Sequence, residues 1–509
     1  MADEPEDFSL GDANGAAPAT PAPKPRRRDK LALLLSDWDL ARTPDGGALA
    51  GIKHRGHREW MHVATKGFRN SLTVRFYLEH GAGLSGTALA ETVALAEARA
   101  LASGDVRQPW RRFAWQDGCI WLDLGGGDPA GERRAVRIAA EGWRIIPADD
   151  VPVAFLRAPD SLPLPEPAAA AASTGDLRTF VNVDSDDELA LAWAWLVCAA
   201  RPFAEGGAYP ILLLHGEQGS GKSDAARYMQ ALLDPSTLTG RALPREERDL
   251  FISAANRHLV AFDNVSGIGD TFADCLCRIA TGGGYSARAL HTDSDESIFV
   301  TVRPMLVNGI PSTILGRPDL ADRAISVELR PLRRRREQAE MRADYAAARP
   351  GLLGVLCDGL SAALRNLATT KLVDPPRMMD AATWAEAAAQ GLGIESGRIS
   401  AAWRANRGNA DRAALEVDDV AQAVVALLAE EERERQAPEW KGSPQELYRK
   451  LTDHAGERVS RSNLWPKNPA GLGTKLRRIA PGLRSVHRIE MAHGKGGHDG
   501  TRWLSLRRL

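Results

Sequence analysis

One short segment has the residue types and the spacing of a phosphate-binding loop. The apolar run YPILLLH leads into GEQGSGKS, and an amphipathic helical pattern follows. The loop fits GxxxxGK[ST], in which glycines let backbone N–H groups surround phosphates and the next helix adds its positive end. Lys222 is predicted to bridge the β- and γ-phosphates, and Ser223 to bind Mg²⁺. The predicted nucleotide contacts are Gly216, Glu217, Gln218, Gly219, Ser220, Gly221, Lys222 and Ser223.

Two later apolar runs end in polar residues that suit the same chemistry. HLVAF ends at Asp263, which is predicted to be the carboxylate linked to Mg²⁺. The next residue is Asn264, where many ATPases have a glutamate; an amide can orient water but cannot accept its proton. VRPMLV ends at Asn308, whose amide is predicted to contact the γ-phosphate or the attacking water. The alternative for Asn308 is a turn-forming role before Gly309.

Two arginines precede one more apolar run, in GRPDLADRAISVEL. An arginine here could reach the nucleotide of a neighbouring subunit and stabilise transition-state charge, an effect of about 10³–10⁵ in rate. Both Arg317 and Arg323 are candidates for this role, and Arg323 is preferred. The alternative is a surface salt bridge with Asp319 or Asp322.

Strands and helices alternate around these segments, which is the pattern of a parallel sheet. Upstream, short alternating runs separated by Gly, Pro or Asp predict a meander of strands. Four tryptophans in this upstream part are interpreted as core rather than as base-stacking platforms. The predicted domains are a disordered arm at 1–28, an N-terminal α+β domain of unknown role at 30–157, a Pro/Ala linker at 158–173, a P-loop ATPase core at 174–332, a helical region at 333–435 and a C-terminal domain at 438–509.

Composition limits the class of protein. The chain has 509 residues, which is enough for two to four domains, and its formal net charge of -1 indicates no particular partner. The five cysteines have no paired spacing, so a disulfide framework or zinc site is not predicted and a reducing cytoplasm is expected. The longest apolar run, LALAWAWLVCAA, is too short to span a bilayer. No membrane partner is expected.

The last segment has a charge of its own. Residues 438–509 contain 15 Lys and Arg against 6 Asp and Glu. Two helical patterns are followed by two strand-like runs around the glycine loop HGKGGHDG, which is the order of a winged helix. Lys475, Arg477 and Arg478 are predicted on the helix that faces the DNA groove, and Lys495 in the wing. The alternative is a solvated basic face without a ligand.

The order of the core motifs resembles that of the superfamily-3 helicases within the AAA+ class. GEQGSGKS, FDNVSG, LCRIATGGGYSARALHTD, RPMLVNGI and RPDLADRAI look most like the ATPase half of primase-helicase proteins from phages and integrative elements. The likeness is densest over about 176–332. It implies an α/β fold with an AAA+-type P-loop ATPase core, flanked here by the N-terminal α+β domain, the helical region and the C-terminal winged helix.

The resemblance implies a homo-oligomeric ring, expected to be a hexamer, that uses ATP and Mg²⁺ to move along DNA. Single-stranded DNA would lie in the channel and duplex DNA at the winged helix. The polar stretch TGGGYSARALHTDSDE is typical of an exposed hairpin, and in that family such a hairpin projects into the channel. Tyr285, Arg288 and His291 would then touch the DNA backbone, whereas a plain exposed β-turn is the alternative. A separate primase is a candidate partner, because the upstream segment is short for a primase domain.

A second hypothesis belongs to a different class. The protein would be a nucleotide-gated DNA-binding regulator that binds ATP and assembles on DNA without unwinding it. Asn264 in place of glutamate and the basic C-terminal segment suit this hypothesis as well as they suit a motor. A small-molecule phosphotransferase ranks third, because no acceptor-binding lid is evident in the sequence.

Overall fold

The computed structural model describes most of the chain, in the ranges 34–54, 57–127, 133–202, 207–288, 296–309, 317–332, 336–416, 418–462, 465–496 and 501–509. Contacts divide the chain into two units, one formed by residues up to 53 with 61–106, the other by residues 54–60 with 107–509. Within the described ranges, no helix has both the length and the apolar character needed to cross a membrane.

The first unit is small and combines strands with two helices. Its elements are β1 (Asp39–Arg42), β2 (Ala48–His54), α1 (Lys66–His80) and α2 (Gly86–Ala102), together with the last two residues of β3 (His57–His62). β1 pairs antiparallel with β2. The hydroxyls of Thr65 and Ser85 accept hydrogen bonds from the N–H groups of Phe68 and Ala88 in the first turn of each helix, which explains where each helix begins. Trp38, Phe68 and Leu72 form the centre of this unit's core.

The second unit begins with an antiparallel meander. Its strands are β5 (Phe113–Gln116), β6 (Cys119–Gly127), β7 (Arg133–Ala139) and β8 (Gly142–Pro147). Two short strands on either side of it in sequence, β4 (Pro109–Trp110) and β9 (Ala154–Phe155), pair with each other in parallel. The sheet order β5-β6-β7-β8 confirms the predicted meander. Trp121 is buried, as expected for a core residue. The predicted boundary at 157 is wrong in one respect, because the division between units falls at 106 and the meander belongs with the following core.

The alternating segment forms a parallel sheet with helices around it. Its elements are α3 (Asp186–Ala199), β10 (Ile211–Gly216), α4 (Lys222–Leu233), α5 (Glu247–Ala255), β11 (Val260–Val265), α6 (Asp270–Thr281), β12 (Gly284–Arg288), β13 (Glu296–Val300), β14 (Met305–Gly309), α7 (Pro318–Ala321) and β15 (Ala324–Leu329). The strand order is β11-β14-β10-β15, and all three pairings are parallel. β10, the first strand of this segment, therefore lies inside the sheet, and the strands that carry Asn308 and Asp263 lie on one side of it.

Three helices follow, α8 (Gln338–Asn366), α9 (Met379–Ala388) and α10 (Arg398–Glu416). They do not form a separate helical region, since they share one hydrophobic core with the meander and with α3. The side chains of Trp193 and Trp195 on α3 are completely buried. A helix that is apolar on all sides must be enclosed, and α3 is therefore the centre around which the later helices pack.

The segment 158–173 is packed onto the protein and is not the linker that its composition predicts. The N–H of Leu164 donates to the carbonyl of Leu124 (2.8 Å), and the N–H of Ala168 donates to the carbonyl of Pro350 (2.9 Å). A Cβ atom at Gly354 would lie 2.2 Å from the carbonyl oxygen of Ala168. The close approach explains why an alanine-rich segment is ordered, because small side chains let its backbone bond directly to a helix.

The C-terminal segment folds around a core of its own. Its elements are α11 (Asp419–Arg435), β16 (Glu439–Gly442), α12 (Pro444–Ser460), α13 (Pro469–His487), β17 (Ile489–Gly496) and β18 (Thr501–Arg508). The predicted two helices and two-stranded antiparallel hairpin are confirmed. The sequence did not predict β16, which adds a third strand in the order β16-β18-β17. Leu476, Leu483 and Leu506 are buried among these elements.

One buried histidine couples the fold to pH. His258 precedes β11, and its ring nitrogen donates to the carbonyl of Ala199 (2.7 Å). Burial lowers the pKa of His258 to about 4. A lowered histidine pKa means that, as pH falls below the ordinary value near 6.5, the unfolded chain takes up a proton that the folded chain does not. The stability supplied by neutral His258 is therefore present above about pH 6.5 and is lost as pH falls towards 4.

We expect the wild type to lose about 2 kcal/mol of unfolding free energy from His258 between pH 7.5 and pH 5. The variant His258→Gln should be less stable at pH 7.5 and should lose less on acidification. Urea unfolding at the two pH values measures both effects. His493→Gln, a change at an exposed histidine, serves as the control and should keep the wild-type slope. Equal slopes in His258→Gln and wild type would contradict this assignment.

Candidate functional site

The glycine loop has the backbone that its sequence predicts. β10 ends at Gly216 and α4 begins at Lys222, with Gly221 as the N-cap. Gly216, Gly219 and Gly221 all have positive φ, at 146°, 84° and 81°. A Cβ atom at Gly216 would lie 2.2 Å from the carbonyl oxygen of Leu329 on the neighbouring strand. All three positions therefore favour glycine for the backbone conformation, and Gly216 also for space.

The polar groups of the loop fit an anionic ligand. The ammonium of Lys222 lies over the loop and donates to the carbonyls of Gly216 (2.9 Å) and Glu217 (2.8 Å). Ser220 is completely buried, and its hydroxyl has no hydrogen-bond partner among the described residues. The loop leads directly into the N-terminal, positive end of α4. Glu217 and Gln218 are exposed at the rim of the loop. This arrangement can hold phosphate groups.

Asp263 reaches the helix that follows the loop. The hydroxyl of Ser223 donates to a carboxylate oxygen of Asp263 at 2.9 Å. Because β10, β14 and β11 are parallel, their carboxyl ends meet at one edge of the sheet, and this edge carries both residues. A hydroxyl and a carboxylate are the protein ligands that Mg²⁺ takes when substrate phosphates and waters supply the rest. The described residues contain no cluster of three His, Cys, Asp or Glu that would hold a metal without phosphates.

Asn308 lies between these groups. It is 2 % exposed and belongs to β14, so it is part of a strand and does not form a turn. Its amide nitrogen donates to the carboxylate of Asp263 and lies 3.4 Å from the hydroxyl of Ser223. Its amide oxygen accepts the backbone N–H of Asn264 at 2.7 Å. The structure thus brings Asp263 and Asn308, near the ends of two strands, together with Ser223 at the start of α4. The side chain of Asn264 itself is exposed.

A histidine that the sequence interpretation missed adjoins the loop. His215 is the residue before Gly216 and pairs in register with Glu328 on β15. Burial lowers its pKa, and the charge of Lys222 acts in the same direction. Its neutral ring therefore adds no positive charge at neutral pH. A histidine at the end of an apolar strand carries no signal that would have separated it from a core residue.

Arg323, the preferred candidate arginine, lies away from the loop of its own chain. Arg323 directly precedes β15, at the end where Ala324 pairs with Ile211, whereas Gly216 pairs with Leu329 at the other end. Five residues of strand separate the two ends, which corresponds to about 17 Å. Arg323 therefore cannot contact a nucleotide held by its own loop.

Both arginines have partners within the chain, and these differ from the predicted alternative. Arg317 forms an ion pair with Asp270 and donates to the carbonyl of Ile268 (2.9 Å). The hydrogen bond from Arg317 holds the pKa of Asp270 below its usual range. Arg323 donates to the backbone carbonyl of Asp319 (2.7 Å) rather than to its carboxylate. Asp322 pairs instead with other arginines of the helical segment, Arg377 and Arg407.

The predicted hairpin is confirmed in its two strands. β12 and β13 pair antiparallel from Gly284 opposite Val300 to Arg288 opposite Glu296. His291 lies outside the described residues, and the side chains of Tyr285 and Arg288 are not described either. Just after β13, the guanidinium of the half-buried Arg303 donates to the backbone carbonyls of Ala254 (3.0 Å) and Arg257 (2.6 Å).

The basic residues of the C-terminal segment divide into two groups. Lys475 lies on α13, the helix on which it was predicted, and it forms an ion pair with Asp418 at 2.5 Å. Arg477 is exposed and faces a cleft between α13 and the hairpin β17–β18. Arg478 is exposed on the same helix, and its charge contributes to lowering the pKa of Asp270 after the larger effect of Arg317. Of the three predicted residues, only Arg477 lines the cleft.

The cleft has a volume of about 860 Å³, and Arg477, His493, Lys495, Arg502 and Trp503 contribute its polar and aromatic lining. Sequence interpretation did not single out Arg502 or Trp503. The charge pattern alone cannot distinguish them from a solvated strand, because the face of each strand becomes known only from the register.

Two family models each match one segment of this chain. Both matches are to replication proteins of mobile elements. Residues 175–410 match the family model of the actinomycete integrative conjugative element replication protein, and residues 420–509 match that of the AICE RepA C-terminal domain. Over these two segments the chain is similar to the replication proteins of integrative conjugative elements. This agrees with the mobile-element origin that the core motifs imply.

Solved structures give a weaker likeness. The apo structure of the NrS-1 C-terminal region has a TM-score of 0.40 and 11% identity, covering 94% of this chain and 98% of that chain. A JCV helicase bound to an acetamide compound has a TM-score of 0.19 and 14% identity, covering 48% of this chain and 65% of that chain. Both scores are too low to establish a shared fold. The search of curated proteins found no match.

Proposed function

We propose that the protein is an ATP-dependent DNA helicase or replication-initiator motor of a mobile element, built on an AAA+-type P-loop core. The observation that carries the proposal is the meeting of Lys222, Ser223, Asp263 and Asn308 at one edge of a parallel sheet, beside a loop of three positive-φ glycines. These are the groups that phosphoryl transfer needs for binding phosphate, holding a metal and orienting water.

ATP with Mg²⁺ would supply the phosphoanhydride bond and the charge that binds its oxygens. The chain's own residues have separate tasks. Lys222, which now donates to two loop carbonyls, would bind phosphate oxygens, and Ser223 and Asp263, which now bond to each other, would hold the metal. Asn308, held 3.4 Å from the hydroxyl of Ser223, is close enough to orient the γ-phosphate or a water.

A ring assembly accounts for the arginines. Because Arg323 is at the opposite end of the sheet from its own loop, a role in catalysis requires a neighbouring subunit. Arg317 would have to leave Asp270, an exposed carboxylate whose pairing is weak in solvent. A hexamer is the proposed assembly, with the hairpin β12–β13 facing a channel that takes single-stranded DNA.

The C-terminal segment is proposed to be a winged helix that binds duplex DNA. The order of α11, β16, α12, α13 and the hairpin β17–β18 supports this, with α13 as the groove-facing helix. Arg477 from the helix and Lys495 and Arg502 from the hairpin line one cleft and can neutralise phosphates there.

One observation favours a second candidate, a nucleotide-gated DNA-binding regulator. Asn264 occupies the position after Asp263, its side chain is exposed, and an amide cannot accept a proton from water. Slow hydrolysis that is indifferent to DNA would follow. The ATPase measurements below separate this candidate from the motor.

Lys222→Ala should abolish nucleotide binding and hydrolysis, because the loop loses its only flexible positive charge. We expect loss of detectable ATPase activity and at least tenfold weaker binding of a fluorescent ATP analogue, of the size expected for a charged hydrogen bond. Lys371→Ala, at an exposed position far along the chain, is the control and should behave as wild type. Undiminished ATP binding in Lys222→Ala would rule out this loop as the nucleotide site.

Single-stranded DNA should stimulate the ATPase rate if the protein is a motor. Arg288→Ala should remove most of this stimulation while the rate without DNA is kept, because the hairpin would no longer hold a phosphate. Arg69→Ala, at an exposed position in the first unit, is the matched control. A low rate that DNA does not change, in wild type and variant alike, would favour the nucleotide-gated regulator.

Arg477→Ala and Lys495→Ala should each weaken duplex binding across sequences and reduce the slope of log K against log salt by about 1. Lys475→Ala should have a smaller effect on the slope, since Asp418 already neutralises that ammonium. Fluorescence anisotropy over a salt series measures the slopes. Equal losses for all three variants would show that the cleft is not the preferred phosphate site.

A further inference from the structure

The strand that carries Asp263 contains a bulge at the site. Its register against β14 is regular up to Phe262 and resumes at Val265, so two residues, Asp263 and Asn264, face the single Asn308. Asn264 has a φ of 55°, in the left-handed region that non-glycine residues rarely adopt. An extra residue in a strand loses its ladder partner and re-aims the side chains beside it.

The side chain of Asn308 replaces the missing ladder partner. Its amide oxygen accepts the N–H of Asn264 at 2.7 Å, and its amide nitrogen holds the carboxylate of Asp263. Gly309 follows it, where a Cβ atom would lie 2.3 Å from the carbonyl oxygen of Val265. The strands are therefore in close contact just after the bulge, and one buried amide bonds both residues of the bulge.

We infer that Asn308 is a positioning residue: it holds the left-handed conformation of Asn264 and thereby fixes the carboxylate of Asp263 beside Ser223. This inference rests on the proposed function, because the carboxylate matters only where it faces a metal. It adds a task to the direct contact with phosphate or water already considered for Asn308. The consequence is that Asn308 sets the affinity for Mg²⁺ through the backbone of its neighbour.

The test compares Asn308→Ala with the double variant Asn308→Ala/Asn264→Gly. Glycine adopts positive φ without strain, so the double variant should keep the bulge even though the amide of Asn308 is absent. Gln436→Gly, a second non-glycine position at positive φ (53°) in the C-terminal segment, is the matched control for relief of strain elsewhere.

The first measurement is the Mg²⁺ concentration that half-saturates binding of a fluorescent ATP analogue. We expect Asn308→Ala to raise it by about tenfold, the lower end of the effect of residues that orient metal ligands. In the Asn308→Ala background, Asn264→Gly should bring this Mg²⁺ concentration most of the way back to the wild-type value, and Gln436→Gly should leave it unchanged. An unchanged Mg²⁺ midpoint with a reduced kcat in Asn308→Ala would overturn the inference, since the residue would then act on the nucleotide alone.

The second measurement needs no nucleotide. The melting temperatures of the wild type, the two single variants and the double variant form a double-mutant cycle. Asn264→Gly should raise the melting temperature more in the Asn308→Ala background than in the wild type, because only there does the strained backbone lack its support. Additive effects would overturn the inference. If the wild type binds no nucleotide at any Mg²⁺ concentration, the proposed function fails, and the melting cycle still decides whether Asn308 holds the bulge.

Asn308→Asp separates the two contacts of the amide. The aspartate keeps an oxygen that accepts the N–H of Asn264, but it replaces the donor to Asp263 with a second negative charge. Because two carboxylates would then lie together in a site where residue 308 is 2 % exposed, we expect the melting temperature at neutral pH to fall below that of Asn308→Ala. A melting temperature equal to the wild type would show that the amide nitrogen of Asn308 does not hold the carboxylate of Asp263.

Discussion

The parallel pairing of β14 with both β10 and β11 is the constraint on which the site depends. Parallel strands end at the same edge of a sheet, so the residues after three separate apolar runs are brought within hydrogen-bonding distance of one another. Ser223, Asp263 and Asn308 meet in this way, although they are far apart in sequence. Each is held by a backbone that has little freedom: a helix that begins at a glycine, a bulge, and a strand pressed against its neighbour. Ligand groups held by such a scaffold are ready before a ligand arrives.

Charged groups tie the meander to this sheet in the same unit. Arg112 is 2 % exposed and bonds to Asp234 (3.2 Å), the residue that ends α4. Asp234 in turn accepts the N–H groups of His258 and Leu259, which lead into β11. Removing a charge from water is costly unless its polar groups are satisfied, and here the bonds are numerous. The helix after the glycine loop and the strand before Asp263 therefore share one anchor, which explains why the meander cannot be treated as a separate domain.

The segments that match family models contain both the proposed nucleotide site and the basic cleft. The matches begin at 175 and continue to 509 with a short gap, and so they cover the sheet, the helices and the C-terminal segment but not the first unit. The site residues lie inside the first matched segment and the basic cleft lies inside the second. The cleft and the hairpin are the two surfaces through which this chain is proposed to act on DNA.

The sequence by itself determined the local features: the glycine loop with Lys222, the strands ending at Asp263 and Asn308, the hairpin strands, and the helices and hairpin of the basic segment. Such features follow from periodicity and from residues that only certain backbones accept. Tertiary structure decided the rest. It placed Arg323 at the far end of the sheet, paired Lys475 with an acid, and packed a linker-like segment into the core, because these outcomes depend on which distant surfaces meet. Neighbours in space carry no local signal, and composition therefore predicted a linker where the folded chain has none.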